Sequence, residues 1–313
     1  MDKRSKIYVA GHTGLVGSAV TRQLKKTGYK NLILRIRKEL DLLDQKRVEA
    51  FFGKEKPEYV FLAAAKVGGI MANKKYKGDF IYKNLQIQNN VIHYSLKYDV
   101  KKLLFMGASC IYPKNCPQPM KEEYLMTGPL EETSEAYSIA KIAGIKMCQS
   151  YNEQYGTNFI SAIPANVYGP GCHFGLENSH VLSAMVRKFS EARERKEKKI
   201  IFWGTGTPRR EFLYAADLAE ALVYLMNKYD SSEPINIGTG KEISIKELAN
   251  KIKNIVNFQG KIEWDKSKPD GTKRKLLDAK KINSLGWNSE TSLDEGLEKT
   301  IAWYNIMHKI EKI

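Results

Sequence analysis

A chain of 313 residues, 42% of them hydrophobic and with no low-complexity segment, is long enough for two packed lobes, and it has no apolar run near the roughly 20 residues of a membrane span. The charged start, Met1 to Ser5, leads directly into the apolar run Ile7–Ala10 without a cleavage site, which argues against a secretory leader. A net charge of +16 raises nucleic acid as a partner, but the cations are spread along the chain and alternate with Glu191, Glu194 and Glu197 in the densest run, Arg187 to Lys199, so a polyanionic small ligand fits better than nucleic acid.

In chain order, short β-rich runs alternate with helical stretches. Ile7–Ala10 precedes a helix to Lys26; Leu32–Leu34 precedes a helix around Val48–Phe52; Val60–Leu62 follows. A long helix near Phe80–Lys97 leads to Leu103–Met106, and another from Ala136 to Tyr155 leads to Phe159–Ile163. This rhythm predicts an α/β fold with a Rossmann-type doubly wound parallel sheet and ligands at the carboxyl ends of its strands. After Pro164 the rhythm loosens into Gly- and Pro-rich loops, with Ile235–Gly238 returning as a sheet strand and a last amphipathic helix from about Leu293 to Ile310. The expected division is a cofactor-binding domain of residues 1–170 plus about 211–240. A smaller α/β lobe of about 171–210 plus 241–313 would close a substrate cleft. Cys110, Cys116, Cys148 and Cys172 have neither paired metal-ligand spacing nor the density of a disulfide framework, so a reduced, cytoplasmic setting without a metal is expected.

Between the first strand and its helix stands Gly11-His12-Thr13-Gly14-Leu15-Val16-Gly17. Gly11 permits a tight turn, Gly14 a close approach of backbone to a pyrophosphate, and Gly17 the packing of helix on sheet; the helix N-terminus offers amide donors. The same glycines could also serve the turn alone. Where NAD-selective folds place an acid after the second strand, this chain has Arg35, Arg37 and Lys38. Those cations would accept a 2′-phosphate, so NADP(H) is the expected cofactor, unless they are ordinary loop cations of a Lys-rich protein. Asp41, slightly further on, is a candidate for the adenine side.

Tyr137 and Lys141 are four residues apart in a helical segment and therefore share a face. A phenol with a reference pKa near about 10 is a poor acid–base catalyst at neutral pH, and a neighbouring ammonium lowers it. The pairing of a glycine loop with Tyr-x-x-x-Lys is the chemistry of hydride transfer to or from a carbonyl. Ile139, Ala140, Ile142, Ala143 and Gly144 around the pair suit a helix–helix interface, and a homodimer through this helix is expected.

The G-x-x-G-x-x-G spacing and the motif order resemble the extended short-chain dehydrogenase/reductases that act on nucleotide sugars. Five strings narrow the resemblance to the GDP-L-fucose synthase family, also called GDP-4-keto-6-deoxymannose 3,5-epimerase/4-reductase. They are Leu62-Ala63-Ala64-Ala65-Lys66-Val67-Gly68-Gly69, Ser109-Cys110-Ile111-Tyr112-Pro113-Lys114, Asn178-Ser179-His180-Val181, the stretch from Trp203 to Phe212, and Lys268-Pro269-Asp270-Gly271-Thr272. The resemblance spans essentially the whole chain. It implies a GDP-4-keto-deoxy sugar as substrate, with Tyr137 protonating the C4 oxygen, Lys141 in support, and Cys110 and His180 inverting C3 and C5 through enolates. A ketone acidifies the neighbouring C–H bonds, and thiols and imidazoles are the side chains that titrate nearest neutrality. The same resemblance places Thr13, Leu15, Val16, Ala64, Pro164, Asn166, Val167 and His180 on the cofactor, with Asn166, Lys188, Trp203, Arg210 and Asp270 on the GDP-sugar. Read as residue types alone, Cys110 could be a buried strand-end thiol and His180 a helix cap.

The chain departs from that family at Ala108, where a serine is usual. Ser109 is adjacent, but in an extended segment it should face another way. The loss of one hydrogen bond to the C4 oxygen costs about 0.5–1.5 kcal/mol, and more in a dry site. The change points to an altered sugar, such as a GDP-heptose, or to a weakened epimerase step. The loop Gly171-Cys172-His173-Phe174-Gly175 also differs from the usual sequence. A 4,6-dehydratase or 4-epimerase is a second enzyme class, but dehydratases carry Thr-Asp-Glu where this chain has Ala108-Ser109-Cys110. A non-catalytic NADP-sensing or RNA-associated relative would fit the basic charge, yet such relatives often lose the Tyr/Lys pair.

Overall fold

The computed structural model describes residues 1–175, 179–268 and 270–311. Four apolar runs become fully or largely buried strands, β1 (Ile7–Ala10), β3 (Tyr59–Leu62), β4 (Lys102–Met106) and β5 (Phe159–Pro164). Strands covered on both faces carry continuous rather than alternating apolar residues, as these do. With β2 (Leu32–Ile33) and β9 (Ile235–Ile237) they form a six-stranded sheet, ordered β2-β1-β3-β4-β5-β9, in which every pairing is parallel. The chain leaves β1 for β2 on one side and returns to β3 on the other. The crevice between the ends of β1 and β3 is therefore the topological switch point, where such sheets bind ligands.

Helices cover both faces. α1 (Leu15–Lys26) packs against α7 (Ala215–Lys228), while α4 (Lys77–Lys97) packs against α5 (Glu135–Tyr155) and α2 (Gln45–Glu55). A short α3 (Ile70–Lys75), absent from the sequence reading, precedes α4. The first residue of β4, Lys102, is buried, and its ammonium donates to the carbonyls of Leu225 (3.2 Å) and Tyr229 (2.6 Å) and to Asp230 (2.8 Å). It caps the C-terminal end of α7, whose last carbonyls would otherwise lack donors.

A second core gathers around a smaller sheet. β8 (Arg209–Tyr214) pairs in parallel with β6 (Asn166–Tyr168) and β12 (Arg274–Lys275), and antiparallel with β10 (Glu242–Ser244). β7 (Lys199–Trp203) pairs with β11 (Lys261–Asp265). Helices α6 (Val181–Glu194), α8 (Ile245–Val256) and α10 (Leu293–Glu311) close over them through Phe189, which meets Phe202 of β7, and through Leu248, Ile252 and Leu297; the short α9 (Lys280–Ser284) packs on β9. α8 opens on a complete capping box between Ser244 and Glu247 and ends at Asn257 in the left-handed region. β8 is a wall common to both cores: Leu213 faces the first, Phe212 and Tyr214 the second, as strand alternation requires.

Candidate active site

The glycine loop is shaped by contacts no side chain could survive. Gly11 sits at φ +83°, and a Cβ there would meet Ala64 at 2.8 Å. A Cβ on Gly17 would lie 2.1 Å from the Gly11 carbonyl oxygen. Gly14 differs: its amide donates to the Gly11 carbonyl (3.0 Å), but a Cβ there would meet nothing closer than 3.4 Å. The protein's own packing does not demand Gly14, which leaves close approach by a ligand as its physical reason. Beside it α1 begins with no acid in its first turn and no side-chain cap, so the amides of Leu15, Val16 and Gly17 have no partner within the helix. The residues fit a dinucleotide pyrophosphate. Thr13 is exposed at the rim, and Ala64 forms the facing wall.

The two arginines after β2 are not equivalent. Arg35 is held by Glu55 (2.7 Å) and by the Leu34 carbonyl (2.9 Å). Arg37 is exposed and, among the described residues, pairs only with Asp41, at 3.3 Å. Asp41 also accepts from the Leu43 amide (3.1 Å), so part of its carboxylate organises its own loop.

Across the crevice, α5 approaches β4 closely because position 144 is glycine; a Cβ there would meet the Phe105 ring at 2.3 Å. Gly144 thus faces the sheet and not another helix, while Ile139 is the exposed member of that apolar group. Lys141 donates to the Met106 carbonyl (2.7 Å) at the end of β4, and its ammonium lies 5.8 Å from the centre of the Tyr137 ring. Phe80 meets that ring edge-on at 6.1 Å. Burial pushes the Tyr137 hydroxyl well above the usual phenol range, and a charge on Cys110 would push it further. Burial pushes Lys141 down to about 8, with Cys110 opposing. Desolvation therefore outweighs the ammonium's pull expected from sequence, and the resting pair contains a neutral phenol.

Ala108 is extended, but Ser109–Ile111 winds into a single 3-10 turn, so Ser109 does not continue the strand as the sequence reading assumed. Ser109 and Cys110 line the same small cavity. The turn is tied to the catalytic helix by Ser138, whose hydroxyl donates to the Cys110 carbonyl at 2.9 Å.

His180 immediately precedes α6 and makes no capping hydrogen bond. The residue is exposed, yet the surrounding protein desolvates its ring enough to lower the imidazole pKa. Pro164 ends β5, Val167 pairs with Leu213, and Asn166 donates its amide to the Glu211 carbonyl at 2.8 Å. Lys188 lies over the Phe202 ring at 5.4 Å. Trp203 is 57% exposed with Lys268 over it at 6.0 Å. Arg210 donates to the Arg209 carbonyl (2.7 Å); burial lowers its pKa and Asp270 raises it. Asp270 accepts from the Thr205 amide (2.9 Å) and hydroxyl (2.7 Å), and it fills the space a Cβ on Gly204 would take. Asn178 and Pro269, members of two of the strings quoted above, lie outside the described residues.

Glu211 was not singled out from sequence. Its buried carboxylate accepts from the amides of Thr239 (2.6 Å), Gly240 (2.8 Å) and Leu277 (2.9 Å), joining three distant segments behind Arg210. The signal was an acid following two arginines in an otherwise apolar strand.

A dinucleotide crevice at a sheet's switch point, faced by a phenol and an ammonium on one helix, defines a Rossmann-type oxidoreductase site. The chain belongs to the NAD dependent epimerase/dehydratase family, whose model matches residues 7–238, and within it to the GDP-L-fucose synthase family. It is 55% identical over 303 residues to GDP-L-fucose synthase 1 of Arabidopsis thaliana, covering 97% of this chain and 94% of that one. Its fold matches a GDP-6-OMe-4-keto-L-xylo-heptose reductase from Campylobacter jejuni with a TM-score of 0.94 and 43% identity, over 98% of this chain and 99% of that one. A GDP-mannoheptose C4 reductase from the same organism, solved with NADP bound, matches with a TM-score of 0.90 and 44% identity, over 97% and 99%.

Proposed function

We propose that the protein reduces the C4 carbonyl of a GDP-4-keto-deoxy sugar with NADPH, after inverting C3 and C5 in the manner of a GDP-L-fucose synthase. The observation that carries this reading is the convergence of Tyr137, Lys141 and Cys110 at the end of β4, in a chain 55% identical to a GDP-L-fucose synthase. NADPH, when bound along the Gly11–Gly17 loop, supplies the hydride. Tyr137, kept protonated by its buried setting, delivers a proton to the C4 oxygen as charge builds there. Lys141, whose ammonium lies near the Tyr137 ring, would hold the hydroxyls of the nicotinamide ribose and favour charge on that oxygen. Cys110 and His180 take and return protons at C3 and C5, where the ketone stabilises the enolate. Arg210 and Lys188 meet the diphosphate, Trp203 offers a face for the guanine, and Asn166 and Asp270 complete the polar contacts.

Two measurements test this. NADPH should be consumed only when a GDP-4-keto sugar is present. In deuterated water without NADPH, the sugar should gain label at C3 and C5; no label would remove the epimerase half of the reading.

A second reading, C4 reduction of a GDP-heptose without epimerisation, is favoured by Ala108 and by the likeness to the two Campylobacter heptose enzymes. Product stereochemistry with GDP-4-keto-6-deoxymannose against its heptose analogue separates the two.

We also infer a cytoplasmic homodimer joined through α4 and α5, whose Tyr82 (61%) and Ile139 (42%) stand exposed. Light scattering on a sizing column would read twice the 35.6 kDa chain mass. Among the described residues no helix is long and apolar enough to cross a membrane.

A further inference from the structure

The role proposed for His180 asks an imidazole to meet one face of a sugar ring with some precision. Its side chain caps nothing, and it stands before a helix, α6, that has no acid in its first turn and no side-chain cap. Ser, Thr, Asp or Asn is the usual residue at such a position, and an uncapped first turn frays unless tertiary contacts hold it. The place of the imidazole therefore depends on whatever fixes the start of α6. Cys110 differs, because the carbonyl of its own turn is tied to α5 by Ser138.

Contacts from residues 169–175, which include the loop whose sequence departs from the usual one, supply that support. The Gly169 amide donates to the Cys172 sulfur at 3.3 Å, and the Ser183 hydroxyl, in the first turn of α6, donates to the same sulfur. The Ser179 amide donates to the Gly175 carbonyl at 3.1 Å, and Arg187 of α6 donates to the Phe174 carbonyl at 3.1 Å. The loop is itself anchored at both ends. Gly171, at φ +97°, lies against the first turn of α1, where a Cβ would meet Ser18 at 3.4 Å and Leu15 at 3.7 Å. Phe174 is held by α10: its ring stacks on Trp303, with centroids 5.8 Å apart and 28° between planes, and tilts against Tyr304 at 4.8 Å. Aromatic contacts of this kind add directional attraction to buried area, so they fix an orientation as well as a depth.

We propose that Phe174 is a positioning residue for His180: its ring, clamped by Trp303 and Tyr304, sets the 171–175 loop, and the loop sets the first turn of α6 and the imidazole in front of it. The proposal rests on the acid–base role given to His180 above. It gives α10, to which no reacting group is assigned, a part in the proton transfers at C3 and C5. Tyr137 and Lys141 stand on α5 and do not share the clamp, so removal of the Phe174 ring should strike the epimerase half of the reaction and leave the cofactor site intact.

The test compares wild type, Phe174→Ala, Phe174→Tyr and Trp303→Leu, with His180→Gln as the reference. Deuterium uptake at C3 and C5 of GDP-4-keto-6-deoxymannose is followed without NADPH, together with its KM, NADPH affinity and melting temperature. Phe174→Ala should slow uptake at saturating sugar about 10-fold or more while KM and NADPH affinity stay within about twofold, since a misplacement of about 1 Å is enough to cost ~10²-fold. Phe174→Tyr keeps the ring and should recover most of the rate; Trp303→Leu should fall between the two. A second readout needs no turnover. In spectra of isotope-labelled histidine, the His180 signal is the one lost in His180→Gln. It should titrate below the ordinary imidazole value in wild type, where the surrounding protein desolvates the ring, and move back towards that value in Phe174→Ala. A role in stability alone would lower the melting temperature and leave both the uptake rate of the folded enzyme and the His180 midpoint where they were. Uptake within about twofold of wild type in Phe174→Ala, a parallel loss of NADPH affinity, or an unmoved His180 midpoint would each overturn the proposal. If Phe174→Ala does not fold, Trp303→Leu carries both measurements. If wild type itself takes up no label, the epimerase reading falls and the His180 titration alone decides on the clamp.

Discussion

The two ends of the cleft are built on different principles. At the cofactor end, Gly11 and Gly17 are fixed by backbone contacts, with Ala64 and with each other, that leave no room for a methyl group on either. At the proposed sugar end, Cys110, His180, Arg210 and Asp270 arrive from four separate segments and are placed chiefly by hydrogen bonds, strand register and burial. The first end is steric and local, so one added carbon breaks it. The second is electrostatic and distributed, so a lost contact degrades it by degrees.

The sharpest break falls at Gly17. Gly17→Val should cost about 3 kcal/mol or more and abolish NADPH binding, because a side chain there runs into the Gly11 carbonyl. Equilibrium melting and cofactor titration would show it; a folded variant that still binds NADPH would dissolve the contrast. Next in size is Tyr137→Phe, which should lower kcat by about 10²–10⁴-fold while NADPH affinity stays near wild type, as read by single-turnover absorbance. The charge on Lys141 supplies a pH test. Its ammonium form prevails below about 8 and fades above it, so kcat/KM should fall on the alkaline side with an inflection near 8. A flat profile through that range would remove Lys141 from the free enzyme's rate-controlling groups. Ala108→Ser should restore a hydroxyl near the C4 oxygen and raise kcat by roughly 2- to 10-fold, and a fall would mean that the pocket is shaped around the methyl group. The smallest effect is expected at the exposed Arg37, where Arg37→Ala should cut the preference for NADPH over NADH by about fivefold.

The cofactor end was legible in sequence for the same reason that it is fragile. A turn needing positive φ, and a helix needing contact with a strand, restrict residue type at fixed spacing, so glycine alone marks them. The β1, β3, β4 and β5 runs were legible because burial on both faces forces an unbroken apolar string. Less was visible beyond Pro164. β6, β10 and β12 are three, three and two residues long, too short to show a period, and they are strands only because β8 offers them hydrogen bonds. Ser109 was read as extended because nothing local announces a 3-10 turn. Glu211 has meaning only through partners 28 to 66 positions away, and no spacing rule reports those. The phenol's raised pKa was likewise invisible, since it comes from burial, with Phe80 edge-on to its ring, and not from the spacing to Lys141.

The clasp of Asp270 on Thr205 reaches beyond the loops it joins. Because the carboxylate already grips Thr205 in the free protein, the Trp203 face proposed for the base stands ready before any nucleotide arrives. A base landing there meets a surface whose freedom was surrendered during folding, so its capture leaves little backbone to quieten, and more of the gross attraction survives as affinity.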